Sequence, residues 1–159
     1  MTPPDTHSRA PRAPSPPVVP HLGRLELDPR LVAQGNFRYA GGQQAMRRLL
    51  SGGGAPEAVF AFNDMTALGA MSVIRDAGLR IPDDIAVVGF DDIPIAALTA
   101  PGLTTMAMPK GELGRAAAST LSRLLAGGSA VSVTRQVFDV ELVVRHSSVR
   151  RPNGNGNGH

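Results

Sequence analysis

Two short apolar runs, separated by a helix whose residues 65–74 carry no charge, constrain the fold of this chain more than any other feature. The runs are AVFAF at 58–62 and IAVVGF at 85–90, and each is typical of a strand that is buried on both faces of a sheet. Between them, Asn63 is placed to cap a helix predicted over 64–77, and Gly78 ends it. A strand, a helix and a strand within 33 residues predict a right-handed parallel βαβ unit.

The segments around this unit continue the alternation of helices and strands. Helices are predicted over 43–51 and 110–125, with a short helical piece between Pro94 and Pro101. Strand-like segments are predicted at 131–137 and 141–145. The sequence therefore predicts an α/β fold with a mainly parallel sheet and flanking helices.

The two ends of the chain differ in composition from the rest. Residues 1–20 hold seven of the fourteen prolines and no aromatic residue, and residues 153–159 consist of Asn, Gly and one terminal His. Such segments lack the apolar side chains that a core requires. We therefore expect a disordered proline-rich segment at 1–21, folded structure over 22–148 and a disordered tail at 149–159.

The charge distribution bears on the class of partner. The net charge of +3 is divided into +1 over residues 1–34, zero over 35–148 and +2 over 149–159, so the body of the chain carries no basic excess. DNA affinity comes largely from ordered basic residues on phosphates, and we do not expect this chain itself to bind DNA. The absence of cysteine, of a secretory signal and of a long uncharged apolar stretch predicts a soluble cytoplasmic protein without membrane contact.

Short polar residues follow the two predicted strands, at the sheet edge where open α/β proteins bind ligands. Asn63 and Asp64 follow the first strand, and Asp91 and Asp92 follow the second. Asn63 is placed equally well to cap the helix or to bind ligand, whereas Asp64 suits the helix dipole better. Asp91 favours ligand contact, because only one of two adjacent carboxylates can cap the next helix.

An enzymatic function is not expected. Paired aspartates could serve as an acid–base or metal site, but they are a weak signal, and the histidines are poorly placed. The chain has no nucleophile elbow, no phosphate-binding loop and no dinucleotide fingerprint after a strand. We therefore predict no catalytic residue, no metal site and no cofactor.

The helix between the two strands contains MTALGAMSVI at 65–74 without a charged residue. A helix that lies on the sheet of a monomer usually presents a charged outer face. Something must therefore cover this helix: either the loop after Pro94 of the same chain, or a second copy. The second possibility predicts a homodimer through Leu68 and Met71, with Leu98.

Four segments together resemble the C-terminal portion of the sensor domain of LacI/GalR-family transcription regulators. They are GNFRYAGGQQ at 35–44, AVFAFNDMTALGAMSVIRDAGLRIPDDIAVVGFDDI at 58–93, PGLTTMAMPKGELGRAAASTLSRLL at 101–125 and ELVVRHSS at 141–148. The resemblance covers about 115 residues, with the motifs in the family's order. It implies a periplasmic-binding-protein-like fold, in which an effector lies between two Rossmann-like subdomains.

The resemblance also implies roles for particular residues. In this family an aromatic residue packs on the ligand, which corresponds to Phe37, and polar contacts to sugar hydroxyls or base edges correspond to Asn63 and Asp91. The helix after Asn63 belongs to the family's dimer interface. Many members have Gln at the position of Met108, so one polar ligand contact is missing here.

Two functions remain open at this point. The chain is either the effector-sensing portion of a LacI/GalR-type regulator, with a sugar-like effector, or a stand-alone solute-binding module of the same fold. In the first case DNA would be bound only through a head that this chain lacks, as it lacks the first sensor subdomain. The apolar face of the helix at 110–125 is then expected to have no partner, because this helix normally packs on that subdomain, and the chain is expected to be a fragment.

Overall fold

The computed structural model describes residues 28–52, 56–126 and 135–149. The helices are α1 (Tyr39–Ser51), α2 (Asp64–Asp76), α3 (Pro94–Leu98) and α4 (Lys110–Leu125), and a short 3-10 helix spans Pro29–Leu31. The strands are β1 (Ala58–Phe60), β2 (Ala86–Asp91), β3 (Thr104–Ala107) and β4 (Glu141–Val143). The predicted disordered ends, 1–21 and most of 149–159, lie outside the described residues.

The strands form one sheet in the order β1-β2-β3-β4. β1 pairs with β2 and β2 pairs with β3 in parallel, whereas β4 is antiparallel to β3. The βαβ unit inferred from the two apolar runs is therefore present, as β1, α2 and β2. The predicted fold class, α/β with a mainly parallel sheet, is confirmed.

The core lies between the sheet and α2. It consists of apolar side chains from α1, α2, β2, α3 and the residues just after β1 and just before β2 and β3, including Met46, Met71, Ile74, Val87 and Leu103. The absence of charged residues at 65–74 in α2 is explained by this position, since nine of the thirteen residues of the helix are buried. α2 is covered mainly by α1 and not by the loop after Pro94. Ala96 of α3 also belongs to the core.

α1 begins four residues before the predicted start at residue 43, and two glycines explain why. Gly41 and Gly42 lie in the first turn of α1, and glycine has a low helix propensity. A side chain at Gly42 would collide with the backbone carbonyl of Thr66 on α2. The glycines therefore allow the two helices to approach closely, and burial outweighs their low helix propensity.

The expectation that the first apolar run is buried on both faces is wrong. β1 ends at Phe60 instead of residue 62, and Phe60 and Phe62 are 58% and 73% exposed. Their rings contact each other edge to face, with centroids 6.0 Å apart. β1 has a strand neighbour on one side only within the described part of the chain, which leaves these rings without cover.

The second half of the fold departs from the predictions in two places. β3 was not predicted, because its residues, TTMA, give no apolar strand pattern. Of the strand predicted at 131–137, residues 131–134 lie outside the described part and 135–137 form no strand. The strand predicted at 141–145 is present as the shorter β4, and α4 has the predicted bounds.

α4 contributes nothing to the core. None of its residues is buried, and the leucines of its apolar face, Leu113, Leu121 and Leu124, are between 43% and 56% exposed. This matches the expectation that the face lacks a partner in this chain.

The proposed dimer residues fall into two classes. Leu68 and Met71 are buried within the chain itself, so neither side chain is available to a second copy in this structure. Leu98 is 82% exposed. The absence of charge at residues 65–74 is accounted for by intramolecular packing, and it no longer argues for a dimer. No helix in the described part is long and apolar enough to span a membrane.

Candidate functional site

The carboxyl ends of β1 and β2 meet at one edge of the parallel sheet, which we call the effector edge. Asn63 follows β1, and Asp91 is the last residue of β2. Phe37, which precedes α1, reaches the same place because Asn63 is hydrogen-bonded to its backbone. Parallel pairing of β1 with β2 is the reason that residues so distant in sequence lie close together.

Asn63 makes both kinds of contact that its amide allows. Its Oδ1 accepts a hydrogen bond from the backbone N–H of Thr66 at 2.9 Å, which caps α2. Its Nδ2 donates to the backbone carbonyl of Phe37, also at 2.9 Å. The capping role is therefore present, and the amide additionally holds the loop before α1 at the effector edge.

Phe37 has an exposed ring on a constrained backbone. Its φ is 60°, in the left-handed region that a bulky side chain rarely occupies, and its side chain is 67% exposed. Two contacts hold this conformation: the bond from Asn63, and a hydrogen bond from the backbone N–H of Arg38 to Oδ1 of Asn36 at 3.1 Å. The ring is thereby presented to solvent beside Asn63.

Asp64 was predicted to interact with the dipole of α2, but the structure also gives its carboxylate two hydrogen bonds. Its carboxylate is fully buried and accepts hydrogen bonds from Thr105 Oγ1 at 2.6 Å and from the backbone N–H of Ile93 at 2.8 Å. Because Gly89 has no side chain, the carboxylate can lie directly against β2. Asp64 thus connects α2 to β2, β3 and the start of α3.

Asp91 differs from Asp64 in having no hydrogen bond to its carboxylate within the described residues. Its φ is 109°, a second departure from ordinary backbone geometry. Burial raises the pKa of the Asp91 carboxyl, the nearby Asp64 carboxylate raises it further, and Lys110 opposes both. The carboxylate is therefore partly desolvated and is left with acceptor positions for a ligand.

Three residues at this edge were not assigned by the sequence. Asp92, with a φ of 49°, accepts a hydrogen bond from Arg145 Nη2 on its Oδ1 at 2.8 Å. Lys110 Nζ donates to the backbone carbonyl of Asp92 at 3.0 Å. The pairing of Asp92 with Arg145 fits the inference that Asp91 and Asp92 have different roles. A local sequence pattern could not predict this pair, because Arg145 lies 53 residues after Asp92.

The backbone supports a functional interpretation of this edge. Within the described part of the chain, the non-glycine residues with positive φ are Phe37, Asp91 and Asp92, and all three lie here. Such conformations cost free energy and are concentrated at binding and active sites. An exposed aromatic face beside two polar side chains suits a sugar or nucleobase ring, with stacking on the face and hydrogen bonds at the rim.

Two depressions in the described part of the chain are not lined by Phe37, Asn63 or Asp91, although the smaller one includes Asn36, next to Phe37. One open depression, of about 510 Å³, is lined by Thr99, Gly102 and His146 among others, and a smaller one, of about 230 Å³, is lined by Asn36, Gln44 and Arg48 among others. No group of three His, Asp or Glu side chains with metal-binding geometry occurs among the residues described.

Known proteins with similar sequences are transcription regulators. Over 128 residues the chain is 38% identical to the HTH-type transcriptional repressor CytR of Escherichia coli, a match that covers 80% of this chain and 37% of that protein. It is 39% identical over 123 residues to the HTH-type transcriptional regulator CelR of Thermobifida fusca. The chain thus spans just over a third of the length of these relatives.

Solved structures give the same result. A complex of the regulator CelR with cellobiose is 39% identical, has a TM-score of 0.73 and is matched over 77% of this chain and 37% of that one. The lac repressor dimer bound to operator and an anti-inducer is 34% identical, with a TM-score of 0.65 and coverage of 73% and 40%. The resemblance to part of a LacI-type sensor domain is confirmed.

The family model for the periplasmic binding protein-like domain matches residues 20–148, which is most of the chain. The relatives are transcription regulators and not enzymes, in agreement with the absence of catalytic motifs. Together with the fold and the sheet order, this match shows that the chain belongs to the periplasmic binding protein-like domain family, as part of a sensor domain of the LacI type.

Proposed function

We propose that this chain is the effector-sensing portion of a LacI-type transcription regulator and that it binds a sugar or a related polar metabolite at the effector edge. The observation that carries this proposal is the concentration of strained backbone at that edge. Asp91, which its place after a strand predicts as a ligand contact, and Phe37, which the family resemblance implies as one, both have positive φ. The cellobiose bound to CelR supports a sugar as the effector class.

Each site residue has a distinct role in this proposal. The ring of Phe37 packs on an apolar face of the ligand, and the Asp91 carboxylate accepts hydrogen bonds from hydroxyl groups. Asn63 orients the loop of Phe37 through its amide and keeps a second N–H for the ligand. The low polarity of Met108 at the end of β3 favours a ligand with fewer hydroxyl groups on that side.

The regulator as a whole is proposed to act as its relatives do. DNA contact would come from parts of those proteins that this chain does not match, since its own body has no basic excess. Dimerisation, as in the lac repressor structure, would involve exposed surface such as Leu98, and not Leu68 or Met71. A stand-alone solute-binding module is the less favoured alternative, because the relatives are regulators.

Ligand binding at the effector edge can be mapped by NMR on the isotopically labelled chain. Cellobiose, lactose, ribose and cytidine are titrated separately to tens of millimolar, which detects weak binding. We expect the amide signals of Phe37, Asn63 and Asp91 to shift with at least one of these compounds. Asp91→Asn should abolish those shifts, whereas Asp83→Asn, in a surface turn far from this edge, should leave them unchanged.

Two results would contradict the proposal. The first is the absence of any saturable shift at the effector edge with all four compounds. The second is a set of shifts confined to another surface, such as the depression lined by Thr99, Gly102 and His146.

A further inference from the structure

The backbone at Asp91 and Asp92, which we call the aspartate turn, is held in an unfavourable conformation by contacts from outside it. Both residues have positive φ, 109° and 49°, although neither is glycine. Without external contacts a non-glycine backbone would relax from such angles, because the left-handed region is costly for residues with a side chain. The groups that hold the turn therefore determine where the Asp91 carboxylate lies.

Four side chains hold the residues of this turn or the residue after it. Asp64 accepts the N–H of Ile93 at 2.8 Å, just beyond the turn, and the hydroxyl of Thr105 lies 3.4 Å from the N–H of Asp92. The third is Arg145, whose Nη2 donates to the Asp92 carboxylate at 2.8 Å. The fourth is Lys110, whose Nζ donates to the backbone carbonyl of Asp92 at 3.0 Å. Of the four, Arg145 makes the only hydrogen bond to a side chain of the turn.

The guanidinium of Arg145 is well placed for a rigid contact. Nη1 donates to the backbone carbonyl of Leu103 at 2.9 Å, while Nη2 holds Asp92. The side chains of Arg145 and Asp92 are 19% and 29% exposed, so water screens this pair less than it screens an ion pair on the open surface. A planar group held at two points fixes the position of the carboxylate better than a single flexible donor would.

Residues 145–147 are attached to the sheet without the guanidinium of Arg145. The backbone N–H of Arg145 donates to the Thr104 hydroxyl at 2.8 Å. Ser147 bonds through its backbone and hydroxyl to Val87, Gly102 and Thr104, and it is fully buried between β2 and the start of β3. Since these bonds already attach residues 145–147 to the sheet, the side chain of Arg145 is left for another role.

We propose that Arg145 is a positioning residue of the effector edge: through Asp92 it holds the aspartate turn in the left-handed conformation that presents the Asp91 carboxylate to the ligand. This inference rests on the proposed function for the role of Asp91. It assigns part of the binding site to a residue that follows β4, far along the chain from β1 and β2. Removal of the Arg145 side chain should therefore release the backbone of Asp91 from its fixed conformation, while the sheet remains folded.

The test measures the conformation of Asp91 in the full chain by NMR, without any ligand. The Cα and Cβ chemical shifts of Asp91, with its amide-to-Hα coupling, distinguish a fixed positive φ from an averaged backbone. In Arg145→Met and in Asp92→Ala we expect loss of the positive-φ pattern at Asp91. In Asp92→Asn, which keeps an acceptor oxygen for Arg145, the pattern should persist.

A matched control is available on the surface. Arg80 also pairs with carboxylates, those of Asp83 and Asp84, but its side chain is 70% exposed and the pair lies before β2. Arg80→Met should leave the signals of Asp91 unchanged. Signals from α2 and from the β2–β3 pair report whether each variant keeps its fold.

The proposal is overturned if folded Arg145→Met retains the wild-type pattern at Asp91. If Arg145→Met does not fold, Asp92→Ala decides, because alanine removes the contact with Arg145 and, unlike glycine, does not itself favour a positive φ. An unchanged Asp91 in that variant overturns the proposal equally. Sugar titration of the wild-type chain tests the proposed function separately, so failure of either can be recognised without the other.

Discussion

Asp64 and Asp91 follow neighbouring strands, but the structure gives the two carboxylates opposite environments. Asp64 is fully buried with two hydrogen-bond donors, and Asp91 lies at the effector edge with none from the described residues. The sequence predicted that the two residues would share an edge, because parallel strands end together. It could not predict the burial of Asp64, because the donors come from Ile93 and Thr105, 29 and 41 residues away.

The raised pKa of Asp91 predicts a conflict between stability and binding. The folded chain holds the Asp91 proton more tightly than the unfolded chain, so this group favours folding below its ordinary pKa of 3.8, and that contribution is lost as the pH rises through the folded pKa. Asp91→Asn, which carries no charge, is therefore expected to unfold at higher urea concentration than wild type at neutral pH. The difference should shrink below pH 3.8.

The same substitution at the exposed Asp139 serves as a control and should give no comparable gain. A variant Asp91→Asn that is less stable than wild type at neutral pH would show that the carboxylate is not strained by its surroundings. A gain that persists undiminished in acid would exclude the carboxylate charge as its cause.

At the scale of elements, local patterns predicted α2, β2 and α4 well and the strands at the margins poorly. The period of apolar residues is a local property, which is why these three elements have nearly the predicted bounds. Whether a strand is covered depends on its neighbours, and β1 lacks one on its outer side among the described strands, so Phe60 is exposed. β3 was missed because its threonines are satisfied by distant partners, Asp64 and Ser148.

The contact between α1 and α2 provides a test of packing with an internal control. Gly42→Ala places a methyl group against the backbone of Thr66 and should lower the free energy of unfolding by about 1–3 kcal/mol. Gly114→Ala in α4 meets no atom within 4 Å and should raise it by roughly 0.5–1 kcal/mol through helix propensity. Urea denaturation followed by circular dichroism measures both, and equal effects of the two variants would contradict the close approach of α1 and α2.

At the scale of the whole molecule, two observations bear on DNA binding: the distribution of charge along the chain and the share of its relatives' length that the chain matches. The chain matches just over a third of relatives that are named as HTH-type regulators, and residues 35–148 carry no net charge. The leucines of α4 are exposed, as expected for a sensor that continues into further structure. Sequence motifs predicted this partial identity because their order along the chain is specific to the family.

The purified chain is predicted to show no sequence-selective affinity for duplex DNA. Any binding should come from arginines near the ends, should not distinguish one sequence from another, and should vanish at physiological salt, because phosphate neutralisation is lost with rising salt. Fluorescence anisotropy with an operator-like palindrome and a scrambled duplex at two salt concentrations measures this. Selective binding that survives physiological salt would contradict it.

The most direct test of the account is calorimetric titration of a chimera in which residues 35–148 replace the matched segment of CelR. We predict that the chimera binds cellobiose or another disaccharide, and that Asp91→Ala weakens binding by about 1–3 kcal/mol, roughly 5- to 150-fold, through lost hydrogen bonds. Asp83→Ala in the same chimera should change the affinity little. A folded chimera that binds no sugar, or one whose affinity is unchanged by Asp91→Ala, would contradict the assignment of the effector edge.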